Sequence, residues 1–143
     1  MEPRISIITL GVKDLKKSYQ FYHEGLGFPT SDSAVSDIVF FQTNGTCLAL
    51  YPLDRLAADV SPNLSDTRSS FSGITIAHNT RNKEDVNTIL ELAEKAGGKI
   101  EKPAQNTSWG GYSGYFSDPD GYFWEVAYAD SWKFHDDGSL VIE

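Results

Sequence analysis

The largely apolar run over residues 4–11 predicts a β-strand with Ile5, Ile7 and Thr9 on one face. Leu15, Tyr19 and Tyr22 then recur at helical spacing behind Asp14, a good N-cap, and Gly25 and Gly27 stop the helix near Glu24. A polar connection, Pro29–Ser36, leads into strands near 37–43 and 46–52. Residues 53–72 are rich in Ser, Asp and Pro and read as a linker with one helical turn at Leu53–Ala58. A strand starts at Gly73. The next helix runs from Lys83 to Ala96, with Val86, Ile89, Leu90 and Ala93 on its apolar stripe and Gly97-Gly98 as its stop. A strand near Lys99–Glu101, a hairpin over Tyr112–Tyr128 and a tail over 129–143 anchored through Trp132 complete the pattern.

The hairpin carries the strongest local signal. In Tyr115-Phe-Ser-Asp-Pro-Asp-Gly-Tyr-Phe-Trp-Glu125, Pro119 presets φ for the corner and Gly121 can take the φ > 0 position. Strand alternation puts Phe123, Glu125 and Ala127 on one face and Trp124 and Val126 on the other. Glu125 then stands among apolar neighbours and needs a cation, a hydrogen bond or a raised pKa. A second copy lies upstream, since Phe40-Phe-Gln-Thr-Asn-Gly-Thr-Cys-Leu-Ala-Leu-Tyr51 aligns with Phe116 onward without a gap. Asn44-Gly45 falls on Asp120-Gly121 and Ala49 on Glu125, while Ile7–Gly11 matches Gly73–Ala77 with Thr9 on Thr75. The chain therefore reads as two copies of a β-α-β-β-β unit.

These residues resemble the vicinal oxygen chelate superfamily, which includes glyoxalase I, extradiol dioxygenases, fosfomycin-resistance transferases and bleomycin-resistance proteins. The resemblance rests on Gly11-Val-Lys-Asp-Leu15, on Phe21-Tyr-x-x-x-Leu-Gly-Phe28 and on Asp118-Pro-Asp-Gly-x-x-Trp-Glu125. Trp109-Gly-Gly-Tyr-Ser-Gly-Tyr-Phe116 and the tail Ser131-Trp-x-x-x-Asp-Asp-Gly138 add to it, so it covers nearly the whole chain. It implies an α+β fold of two β-α-β-β-β modules with curled mixed sheets. The expected organisation is one domain: a first module over 4–53, a linker over 54–72, a second module over 73–128 and the tail.

Composition limits the partners. The chain has 143 residues, of which 40% are hydrophobic and 13% aromatic, enough for a packed core. Twelve Lys and Arg against 20 Asp and Glu give a net charge of −8, which argues against nucleic acid or an anionic membrane as partner. No apolar run approaches the ~20 residues of a membrane span, and Met1-Glu-Pro-Arg does not begin a signal peptide. The one cysteine, Cys47, cannot form an internal disulfide and fits a reducing cytoplasm.

The resemblance implies a divalent metal held by four side chains, one from the first and one from the last strand of each module. Carried onto this sequence the positions are Ile7, Ala49, Gly73 and Glu125, and Glu125 alone has a donor atom in its side chain. No metal or other cofactor is expected. His78 would enter the site only through a one-residue slip of its strand, and His23 and His135 read as solvent-facing.

Two roles stay open for Glu125: a ligand acceptor or general base, or a carboxylate satisfied by a neighbouring Tyr, Thr or Trp. Cys47 shares a strand face with Ala49 and Tyr51, as a cavity thiol or an inert core residue. Trp109, Tyr112 and Tyr115 sit in a glycine-rich run and can wall a pocket, whereas Phe116 and Trp124 are expected in the core. The expected function is metal-free binding of a small hydrophobic or aromatic molecule in a cleft between modules of a homodimer. The ligand-binding residues would be Tyr51, Trp109, Tyr112, Tyr115, Cys47 and Glu125. The alternative is a superfamily enzyme, of lyase, isomerase or dioxygenase type, acting through Glu125. A protein-interaction module ranks third, because no linear motif supports it.

Overall fold

The computed structural model describes residues 1, 3, 5–61, 63, 71–72 and 74–142, and the chain divides into two compact units, Met1–Ser72 and Gly73–Glu143. It is an α+β protein with a curled mixed sheet in each unit. In the first unit β1 (Ile7–Val12) lies parallel to β3 (Cys47–Pro52), and β2 (Val39–Phe41) pairs antiparallel on the other side of β3. In the second unit the order is β4 (Thr75–Asn79), β7 (Phe123–Tyr128), β6 (Tyr112–Ser117), β5 (Lys99–Asn106), with β4 parallel to β7 and the other pairs antiparallel.

Each sheet buries one face under a helix. In the first unit Asp14 caps α1 (Leu15–Tyr19) by accepting from the Lys17 N–H at 3.0 Å. The helix widens into a π turn over Gln20–Gly25, where the Leu26 N–H reaches the Phe21 carbonyl. This turn drops Phe21 and Tyr22 into the core beside Phe41 and Phe28. It also explains why His23 is not solvated as expected: its ring is half-buried and donates from Nδ1 to the Phe28 carbonyl at 2.8 Å. In the second unit α3 (Lys83–Lys95) buries Val86, Leu90 and Ala93 over β5, β6 and β7, and burying each larger apolar side chain contributes about 1.5–3 kcal/mol. Gly114 admits the helix: a Cβ there would lie 2.6 Å from Leu90 Cδ1 and 2.8 Å from the Lys102 carbonyl oxygen. Phe116 (2% exposed) and Trp124 (7%) stack on this covered face at 6.0 Å, as their alternation predicts.

Three features depart from the sequence pattern. Among its described residues the first unit has three strands, not four. Along the outer side of β2, Thr30 donates to the Phe40 carbonyl at 2.6 Å, the Phe40 N–H donates to the Asp32 carboxylate at 2.8 Å, and the Gln42 N–H donates to the Pro29 carbonyl. Side chains thus take over edge bonds that a fourth strand would make. The predicted single turn at Leu53–Ala58 is a two-turn helix, α2 (Leu53–Val60), packed on β1 and β3 of the first unit. Finally, β5 runs to Asn106 as an edge strand, with register shifts either side of Lys102 and Pro103 inside it.

Candidate functional site

The hairpin turn places the candidate carboxylate. Asp118 is buried, and its Oδ1 accepts from the N–H groups of Asp120 and Tyr122 at 2.9 and 2.8 Å. Gly121 then takes φ +80°, which a side chain would oppose. Gly45 takes φ +83° at the matching place in the first unit, so Ala49 and Glu125 each lie four residues beyond an equivalent glycine.

Pairing defines the face that Glu125 occupies. It stands between Tyr115 on β6 and Ala77 on β4, and Phe123 between Ser117 and Thr75. These residues share the sheet face opposite α3. Glu125 is half-buried, less enclosed than its apolar flanks suggest. Tyr115 faces Glu125 across the strand pair; partial burial first, then the negative charge of that carboxylate and its acceptor oxygens, raise the Tyr115 pKa above its ordinary value. Tyr115 therefore stays a neutral donor across the physiological range.

A second carboxylate joins the same face. Ser117 donates to Glu101 Oε1 at 2.8 Å and Lys99 donates to Glu101 Oε2 at 3.2 Å; these bonds, the serine's first, lower the Glu101 pKa. Glu101 leaves no mark in the sequence, because the shift between Ile100 and Lys102 that makes it an extra residue has no period to betray it.

The remaining candidates fall in three places. Cys47 and Tyr51 share the face of the first sheet opposite α1 with Ile7, Thr9, Ala49 and Phe40. The Cys47 thiol lies 3.4 and 3.5 Å from the carbonyl oxygens of Phe41 and Leu48, and donates there. Tyr51 is turned towards α2, where shielding from water and the Asp59 carboxylate raise its pKa. Gly11, opposite Tyr51, lies under Leu53 and Leu56, so α2 closes that end of the face.

Tyr112 lies on the other side of its sheet from Glu125. Its hydroxyl bonds Asn87 of α3 at 3.1 Å and Lys83 Nζ lies 4.9 Å over its ring. It is three residues from Tyr115, an odd step, and strand alternation sends it to the helix side. Trp109 is 53% exposed, sits over Gly111 and stacks on Trp132 of the tail at 5.7 Å. Of the six expected ligand residues, the structure thus brings Tyr115 and Glu125 together and separately Cys47 and Tyr51.

The donor set of a metal centre can be examined residue by residue. Ile7 and Ala49 have no side-chain donor, and Gly73 lies outside the described residues. Pairing adds a correction to the repeat. Thr9 opposes Ala49, whereas Ala77 opposes Glu125, so the first strands of the two units are offset by two residues from the match of Thr9 with Thr75. A slip of two preserves faces, which is why alternation could not reveal it. By pairing, the counterpart of Ile7 is Thr75, whose single hydroxyl is a poor ligand for a borderline cation. His78 opposes Val126 and projects to the α3 side, away from Glu125. Among the described residues no three His, Cys, Asp or Glu side chains could hold a metal ion. The residues present do not fit the family's metal centre.

Comparison with known proteins agrees with this architecture. The sequence profile of the Glyoxalase/Bleomycin resistance protein/Dioxygenase superfamily matches residues 4–126. A glyoxalase-related enzyme from Fulvimarina pelagi is 35% identical over 98% of both chains, with a TM-score of 0.87. A glyoxalase/bleomycin resistance protein/dioxygenase from Nocardioides is 25% identical over 92% of this chain and 87% of its own, with a TM-score of 0.71. A lactoylglutathione lyase from Agrobacterium tumefaciens, 21% identical over 94% of this chain and all of its own, shares the fold at a TM-score of 0.69. No curated protein matches the chain. With a profile spanning both units and a relative aligned almost end to end, the chain belongs to the glyoxalase/bleomycin resistance protein/dioxygenase superfamily.

Proposed function

We propose that this protein binds a small hydrophobic or aromatic molecule without a metal, on the sheet faces that carry Ala49 and Glu125, and works as a cytoplasmic homodimer. The donor set carries the proposal: Ile7 and Ala49 offer no donor atom, so a cation would meet one carboxylate. In place of a metal, Glu125 offers a hydrogen-bond acceptor next to the Tyr115 hydroxyl, with Phe123 as an apolar neighbour on the same strand face. In the first unit Ile7 and Phe40 keep 50% and 39% of their surface open, which suits an apolar ligand. No helix among the described residues is long and apolar enough to cross a membrane.

The test is a fluorescence and calorimetry screen of planar aromatic and apolar compounds against wild type and Glu125→Gln. Micromolar binding to at least one class, weakened about tenfold or more in the variant, is the expected result. A chain that binds none of them does not have this function. Size-exclusion chromatography with light scattering checks the dimer, and a monomer at micromolar concentration rejects it.

An isomerase or lyase acting by proton transfer is the second reading, favoured by the pairing of Tyr115 with Glu125 across β6 and β7. Glu125 would take a proton from a substrate and Tyr115, kept protonated, would donate a hydrogen bond to the developing charge. Turnover of any substrate that survives Glu125→Ala unchanged removes this mechanism.

A further inference from the structure

On the covered side of the second sheet, away from Glu125, the end of β4, the first two turns of α3 and the tail line an open pocket of about 360 Å³. That volume lies at the small end of ligand pockets, roughly 300–1,000 Å³. The tail is folded against it: Phe134 bridges to Leu140, Arg81 lies over the Phe134 ring at 5.0 Å, and Arg81 Nη2 donates to the His135 carbonyl at 2.8 Å. The walls are chemically divided. Ile89 and Phe134 are apolar, while His78, Arg81 and Asp85 bring an imidazole, a cation and a carboxylate.

Many of the cavity's other polar groups are already engaged. Thr80 donates to the Asn82 carbonyl at 2.8 Å, Thr88 to the Glu84 carbonyl at 3.3 Å, and the Asn82 amide to Asp85 Oδ2 at 3.0 Å. Among the described residues the His78 ring and the second Asp85 oxygen have no hydrogen-bond partner, and Arg81 has N–H groups beyond the one on His135. Asp137, held chiefly by Ser139, lies within weaker electrostatic reach of Arg81. A simple anion would meet Asp85, and a simple cation would meet Arg81. A transition metal would find two donors, His78 and Asp85, where about four are needed.

We propose that this cavity binds a small zwitterion of the apolar α-amino acid class. Its carboxylate pairs with Arg81, its ammonium with Asp85 and His78, and its side chain lies against Ile89 and Phe134. A molecule carrying both charges satisfies both walls at once and leaves neither ion facing its like. The cavity is on the opposite side of the sheet from Glu125, so it is a second site, independent of the function proposed above.

L-leucine titrated into the ¹⁵N-labelled full chain tests this, with 4-methylpentanoate and isoamylamine as probes lacking one charge each. Saturable shifts at the amides of residues 78–89 and 134–138 are expected with leucine, and binding at least tenfold weaker with either probe. Arg81→Gln and Asp85→Asn, both at open or half-open positions, should each weaken leucine at least tenfold while leaving the spectrum dispersed. No saturation, equal binding of either single-charge probe, or indifference to both variants overturns the proposal. Shifts centred on Glu125 and Tyr115 overturn it as well and place the ligand at the other face.

Discussion

The two units reuse one hairpin to opposite ends. Both place a glycine at φ near +80° four residues before the position that matters, Ala49 in one and Glu125 in the other. Ala49 is fully buried and inert. Glu125 is half-buried and faces Tyr115. The surrounding sheets differ in the same sense. The second has a fourth strand, whose bulge brings Glu101 to Ser117, whereas the first ends at β2 and a run of side-chain bonds to Phe40. Backbone turn chemistry is thus retained in both copies, while polar chemistry is concentrated in one.

Substitutions at matched places break or sharpen this comparison. The two cores are expected to be equally demanding. Phe41→Ala and Phe116→Ala each remove a ring that is 2% exposed or less, and each should cost about 3–5 kcal/mol in urea unfolding. A loss under about 1 kcal/mol at either would show that its helix does not pack as described.

Two closely packed glycines, one in each unit, should diverge. Gly114→Ala drives a methyl into backbone, the Lys102 oxygen at 2.8 Å and the Ala104 nitrogen at 2.9 Å, and should cost about 1–3 kcal/mol. Gly11→Ala meets first the Leu53 Cδ1 end of a side chain that can turn aside. Its cost, read in the same unfolding experiment, should be under half as large.

Smaller effects separate the polar face from the apolar one. Tyr115→Phe removes the hydroxyl beside Glu125 and should cost about 0.5–1.5 kcal/mol in the same experiment. Cys47→Ser, on the face of Ala49, should weaken ligand binding by less than the tenfold expected of Glu125→Gln.

The smallest effect is one of pH. His78 keeps open surface, yet the cavity walls shield its ring and lower its pKa below the ordinary 6.5, with Asp85 opposing. The unfolded chain then binds more protons than the folded one between the two values. Stability is full above pH 6.5 and falls as pH drops towards the folded pKa. His78→Gln should flatten that part of a stability–pH curve, and an unchanged slope would assign it to other groups.

Much of the fold was legible because turns, caps and alternation are local. Asp14, Gly45, Pro119 and Gly121 act where the sequence predicts, and so do the buried stripe of α3 and the Phe116–Trp124 layer. What escaped depends on partners distant in sequence. The two-residue offset of the first strands leaves every face unchanged. The π turn at His23 and the shifts around Lys102 add residues without a repeating signature. At the site, Glu125 was visible as a carboxylate on an apolar strand and Tyr115 as a pocket aromatic, while their pairing came only with the strand register. Tyr112 lies on the helix side because its step from Tyr115 is odd. The cavity at His78 was invisible, since β4, α3 and the tail contribute to it from three parts of the chain.

Divalent metal content and affinity test the central claim most directly. Tag-free protein would be measured by plasma mass spectrometry and then titrated calorimetrically with nickel, manganese, ferrous iron and zinc. The donor set predicts less than stoichiometric metal as purified and no saturable heat at micromolar concentration. Stoichiometric metal bound with submicromolar affinity, and lost in Glu125→Ala, would contradict the account and make a metal-dependent enzyme the leading function.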